Sequence, residues 1–250
     1  MGNKKIGIVL AGGGARGFAH LGVLKALEEK GITADYISAV SAGSIVGAFI
    51  ASGKTPDQVM EIMKENDFFD YAKVMMPKQG LMSLENLHKN LEEQLEEHTI
   101  SELKIPLYIA ASNLVTGKIK YFSRGDLCQI VQASSSIPVL FSPVEIDGDL
   151  YADGGLLNNL PVEPLKDKCD IIIAVNIMPI EETRKLENLI DIAVRTFQLS
   201  VNRNQEQIKD TVDLFIQPEG LDKYNILDTQ HADILFKLGY DYTKKLKFDF

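Results

Sequence analysis

Residues 39–43 read Ala39-Val40-Ser41-Ala42-Gly43 and close an apolar run that begins near Asp35. A serine between a strand and a helix, flanked by small residues, has the form of a nucleophile elbow, G-x-S-x-G. Ala39 stands in the place of the first glycine. Small residues are needed there because strand and helix approach closely. The sharp turn lifts the hydroxyl above the C-terminal edge of the sheet, where open α/β folds bind ligands. A serine that only caps the following helix would read the same way in isolation.

A serine nucleophile needs a base. Asp153 lies in Tyr151-Ala152-Asp153-Gly154-Gly155, where two glycines leave backbone room for a neighbour. An ordinary turn has the same composition. His231 offers the alternative, because Ser41…Asp153…His231 is the chain order of α/β-hydrolase triads. Its context, DTQHAD, equally suits a plain helix start. His20 falls in the first helical pattern, and His88 and His98 fall on a charged one.

Residues 12–17 read GGGARG, so Gly12, Gly14 and Gly17 satisfy G-x-G-x-x-G between a strand and a helix. A dinucleotide site would also need an acid at the far end of the second strand. Asp35 begins that strand, and Ser41 follows its end. The other chemistry is an oxyanion hole. Backbone N–H groups of Gly12, Gly13 and Gly14 at a helix N-terminus suit a developing negative charge. Arg16 would hold the loop or an anion. A tight strand-to-helix turn is the plain reading. Gly53-Lys54-Thr55 is not a P-loop, since Ala48 occupies the position of the required glycine.

The elements that must position these residues follow from periodicity. Ile6–Leu10, Asp35–Val40, Leu107–Ala111, Lys118–Phe122, Asp170–Val175 and Asp213–Ile216 read as strands. Phe18–Lys30, Ser44–Ser52, Pro56–Lys64, Ser83–Glu97, a pattern from Leu186 to Phe197, and His231–Lys247 read as helices. Continuous apolar strands alternating with helices predict an α/β fold with a mostly parallel sheet and helices on both faces. Residues 68–82 are apolar but irregular, and read as a lid, a lipid-facing surface or packing over the sheet.

The chain has 250 residues, 45% of them hydrophobic, which suits one core and a single domain over 1–250. A net charge of -9 argues against nucleic acid as a partner. Cys128 and Cys169 show no CxxC spacing, so neither a disulfide framework nor a zinc site is expected. No stretch approaches the ~20 apolar residues of a membrane span, and Ile6–Ala11 is too short for a signal-peptide core. The expectation is a cytoplasmic protein. The oligomeric state is not legible.

Four blocks in order, GGGARG, VSAGS, ASSSIPVLFSPV (Ala133 to Val144) and DGGLLNNLPV (Asp153 to Val162), together resemble bacterial patatin-like phospholipases. The resemblance covers residues 5 to about 162. It implies a three-layer α/β/α fold and a Ser41–Asp153 dyad in place of a triad. It places the oxyanion hole on the Gly12–Gly14 backbone, with Arg16 in the same motif. It also implies acyl esters of lipids as substrates and no metal or cofactor. Transient contact with a membrane surface is a further expectation. Two alternatives stand beside it: a general esterase or thioesterase with a Ser41-Asp153-His231 triad, and a non-catalytic nucleotide- or anion-binding module. An aspartate of ordinary pKa, ~3.9, is a weak base at neutral pH. Asp153 is therefore expected to be desolvated, with Ile137, Pro138, Leu156 and Leu157 nearby.

Overall fold

A computed structural model describes residues 4–65, 84–180, 182, 186–202 and 205–248. The segment 68–82 lies outside the described residues. Eight strands form one sheet: β1 (Ile6–Leu10), β2 (Tyr36–Val40), β3 (Leu107–Asn113), β4 (Lys118–Phe122), β5 (Val144–Ile146), β6 (Asp149–Asp153), β7 (Ile171–Val175) and β8 (Leu214–Ile216). The order is β5-β6-β3-β2-β1-β7-β8, with β4 also paired to β3. The pairs β1–β2, β1–β7, β2–β3 and β7–β8 are parallel. The pairs of β3 with β4 and β6, and of β5 with β6, are antiparallel.

The helices are α1 (Phe18–Glu28), α2 (Ala42–Ala51), α3 (Pro56–Glu65), α4 (Glu85–Gln94), α5 (Leu127–Ser134), α6 (Leu189–Val201), α7 (Gln205–Lys209) and α8 (Ala232–Lys245). The apolar runs are continuous because both sheet faces are covered. Along β1, Ile8 and Leu10 enter the larger core with α1 and α2, whereas Val9 and Ala11 face a smaller cluster. That second cluster contains Leu160, Val162 and Leu165, with Ile208 of α7 packed against it. The layered α/β arrangement expected from the sequence is present, with a thin cover on the second face.

The feature that matters for chemistry is β3. Its residue Ala110 pairs with Val40 of β2 and with Tyr121 of β4. The next residue, Ala111, pairs with Asp153 of β6 and with Lys120 of β4. Since β4 occupies one edge from Ile109 to Asn113, β2 and β6 share the other edge and meet there end to end. The last residues of these two strands, Val40 and Asp153, are thus neighbours along a single ruler.

Candidate active site

Ser41 follows β2 directly and opens α2 with φ 53° and ψ -128°. This left-handed conformation is strained for a residue with a side chain. The hydroxyl makes no capping hydrogen bond to the helix. Its chemistry is therefore not spent on helix capping. The turn is held from outside. The Ser41 N–H donates to Ser134 Oγ at 2.9 Å, and Ser134 Oγ donates to the Ala110 carbonyl at 2.7 Å. Ser134 thus fills the gap where β2 stops pairing with β3.

Close packing explains the small residues around the elbow. A Cβ on Gly43 would lie 2.3 Å from the Leu10 carbonyl oxygen. The Ala39 methyl, in place of the usual glycine, is accommodated by Gly47 of α2, where an added Cβ would sit 3.3 Å from it. Gly154 likewise lies against β3, and a Cβ there would lie 2.2 Å from the Ala110 oxygen. Gly43→Ala and Gly154→Ala are each expected to destabilise the fold by about 3 kcal/mol or more, because backbone carbonyls cannot step aside. Gly47→Ala should be near neutral, since about 1 kcal/mol of helix propensity offsets a contact that yields slightly. Urea unfolding of the three variants separates these outcomes.

Asp153 ends β6 and is fully buried. Its N–H donates to the Ser136 carbonyl at 2.8 Å, and its Oδ1 accepts the Gly155 N–H at 2.8 Å. Oδ2 is buried without a well-formed hydrogen bond among the described residues. Burial pushes the carboxyl pKa up to about 7, opposed by the nearby Ser41 hydroxyl and by the Gly155 N–H. The elevation foreseen from the sequence is present. Its source is the enclosed strand end; Leu157, one of the neighbours expected, is exposed. At neutral pH such a carboxylate accepts a proton far better than an ordinary aspartate does.

The glycine loop lies against the serine. A Cβ on Gly12 would stand 2.9 Å from Ser41 Cβ. Gly14 takes φ +54° beside the Ile226 carbonyl, which accepts the Ala15 N–H at 2.8 Å. Arg16 is buried, and its Nε donates to the Tyr224 carbonyl at 2.9 Å. Its guanidinium also reaches the carbonyls of Asp222 at 3.3 Å and Pro179 at 3.4 Å. Burial lowers its pKa to about 10. Of its two foreseen uses, these contacts correspond to holding the loop. A cavity of about 400 Å³ borders Arg16, lined also by Ile190 and Val194 of α6 and by Tyr224 and Leu227.

His231 precedes α8, with Nδ1 3.2 Å from Asp228 Oδ2 and its ring 5.0 Å from that of Tyr224. No described contact joins it to Ser41 or Asp153. His20 is fully buried and bonds the Ala11 carbonyl through Nε2 at 2.8 Å, bracing the start of the glycine loop. Two contributors escaped sequence reasoning. Ser134 lies in the ASSS block, and Asn159 lies in DGGLLNN. Buried polar residues inside those motifs were the available signal.

The patatin-like phospholipase family model matches residues 8–166, which contain the glycine loop, the Ser41 elbow and the Asp153 turn. The chain belongs to this family. An uncharacterized NTE family protein of Mycobacterium tuberculosis is 33% identical over 179 residues, covering 70% of this chain and 49% of that protein. The lysophospholipase nte1 of Aspergillus niger is 27% identical and covers 96% of this chain but 18% of its own length. The neuropathy target esterase sws of Drosophila melanogaster is 27% identical, covering 96% of this chain and 19% of that protein. The chain thus spans half or less of these relatives. Among solved structures, VipD of Legionella pneumophila shares the patatin-like fold, with a TM-score of 0.55 at 17% identity, over 97% of this chain and 66% of that one.

Proposed function

We propose that the chain is a serine acyl hydrolase that cleaves acyl esters of lipids, of the phospholipid or lysophospholipid class, through Ser41 and Asp153. The observation that carries this reading is the strained Ser41 beside a buried carboxyl oxygen with no other well-formed partner. Ser41 Oγ attacks the ester carbonyl as its proton passes to Asp153 Oδ2. N–H groups of the glycine loop stabilise the tetrahedral oxyanion. Collapse expels the alcohol, which takes the proton from Asp153. Water then repeats the attack on the acyl-enzyme, releasing the fatty acid and restoring Ser41.

Lipid esters are favoured by membership in the family and by relatives named lysophospholipase and neuropathy target esterase. Contact with a lipid surface fits the same reading. Leu189, Ile192 and Leu199 form an exposed apolar stripe on α6, and Ser200 of that helix donates to the Leu156 carbonyl in the base turn. Among the described residues, no helix is long and apolar enough to cross a membrane. A cytoplasmic location belongs to this proposal and suits the free thiols of Cys128 and Cys169.

Fluorophosphonate labelling, with the site located by peptide mass spectrometry, tests the nucleophile; modification of Ser41 is expected. Hydrolysis of lysophosphatidylcholine tests the substrate class. The profile of kcat/KM against pH tests the base. It should rise with a midpoint of about 7. It should fall about tenfold per pH unit below that midpoint. A profile flat down to pH 4 would exclude Asp153 as the base.

A further inference from the structure

Asn159 is 4% exposed and stands between the glycine loop and the base turn. Its Oδ1 accepts the Gly12 N–H at 3.1 Å, and its Nδ2 donates to the Gly12 carbonyl at 3.4 Å. The same Oδ1 lies against Gly155, where an added Cβ would come within 2.8 Å. One amide side chain therefore grips both polar groups of residue 12 and packs on the turn that carries Asp153.

This grip sets how the backbone N–H groups of the loop are used. Ala11 donates to the Val175 carbonyl at 3.1 Å, Ala15 to Ile226 at 2.8 Å and Arg16 to Gly13 at 3.2 Å. Gly12 is taken by Asn159. Among the described residues, the N–H groups of Gly13 and Gly14 have no acceptor. A buried or ligand-facing N–H group left open in this way is suited to receive an incoming acceptor.

We infer that Asn159 is a positioning residue for the oxyanion hole: by engaging Gly12 it leaves Gly13 and Gly14 as the loop's two donors. This refines the assignment of Gly12 through Gly14 as a group, and it rests on the Ser41–Asp153 reading. Asn159 touches no reacting atom. It fixes the peptide plane of Gly12, and with it the direction of the next two N–H groups. Its contact with Gly155 ties that loop to the base turn, so donors and base keep their spacing.

The full-length chain carrying Asn159→Ala is compared with the native chain. The expected loss in kcat is about 100-fold or more, the size found when an oxyanion donor is removed. KM should stay within about threefold, and affinity for a trifluoromethyl ketone analogue should fall in parallel with kcat. The pH midpoint should not move, because the Asp153 carboxyl keeps its burial and the hydrogen bond from the Gly155 N–H. A kcat within threefold of native, or a loss accompanied by a shifted midpoint, would overturn the inference. Amide hydrogen exchange supplies a readout independent of turnover. Gly12 should lose protection in Asn159→Ala and keep it in Asn159→Asp, which retains the acceptor and the shape. Unchanged Gly12 protection in Asn159→Ala refutes the grip. Absence of labelling and turnover in the native chain would instead sink the dyad, while the exchange result still judges Asn159.

Discussion

Asp153→Asn is expected to lower turnover by at least about 1,000-fold and, at the same time, to make the protein more stable. The first effect follows from loss of the proposed proton acceptor. The second follows from burial. The Asp153 carboxyl titrates near 3.8 ordinarily and at about 7 in the fold, with burial the largest cause. Between those values the folded state holds a proton that the unfolded state has lost. Stability therefore declines as pH rises through this window, and the full cost is present above pH 7. The shift corresponds to about 4 kcal/mol, and asparagine escapes it while keeping an acceptor for the Gly155 N–H. At pH 8 the variant should gain ~2–4 kcal/mol, the lower value allowing for a buried Nδ2, and melt roughly 5–10 °C higher. Melting as a function of pH provides the check. His20 works in the opposite direction. Burial lowers its pKa from 6.5 to about 4, so its contribution is lost as pH falls through that range. The native chain should show the two trends offsetting, whereas Asp153→Asn should lose its advantage on acidification. An unchanged melting temperature at pH 8 would mean that Asp153 is not held under a desolvation penalty.

Ser41→Gly and Ser41→Ala should both reduce turnover by roughly 10,000-fold or more and abolish fluorophosphonate labelling. They should differ in stability, and in an unusual direction. Alanine normally outranks glycine, because glycine leaves more freedom in the unfolded chain. At position 41 the backbone lies at φ 53° and ψ -128°, which strains any residue carrying a Cβ. Such strain is on the order of 1–3 kcal/mol. Ser41→Gly releases it and Ser41→Ala does not. The glycine variant should therefore be the more stable of the two by about 1–2 kcal/mol in urea unfolding. The reverse order would mean that the elbow relaxes once the serine is gone. Both variants and Asp153→Asn express one principle: the site stores conformational and electrostatic cost that the surrounding packing sustains.

The separate pieces of this fold are legible in the residues alone. Period and composition place β1, β2, β3, β7 and β8 within a residue or two of their bounds, because strands buried on both faces must be apolar throughout, and the Thr116-Gly117 turn after β3 places the half-exposed β4. The motifs named Ser41, Asp153 and the glycine loop, because an elbow, a base turn and an N–H cradle each demand small residues at fixed offsets. Four elements are absent from the sequence reading. Helices α5 and α7 and strands β5 and β6 have only three to eight residues, too few for a period to stand out. Their consequences were hidden with them. Ser134 closes α5 and pins the elbow, and Asp153 is a strand end where a simple turn was expected.

Which candidate base lies next to Ser41 depends on tertiary placement. Chain order allowed Asp153 and His231 alike. The register of β3 places Asp153 next to the end of β2, whereas His231 is engaged with Asp228 and Tyr224. The same holds for Arg16, whose donors go to carbonyls, and for Gly12, whose N–H goes to Asn159. Residue types state what a group can donate or accept. Which partner it meets depends on strand register and on which chain segments share a buried space, and these arise when the sheet assembles around one core.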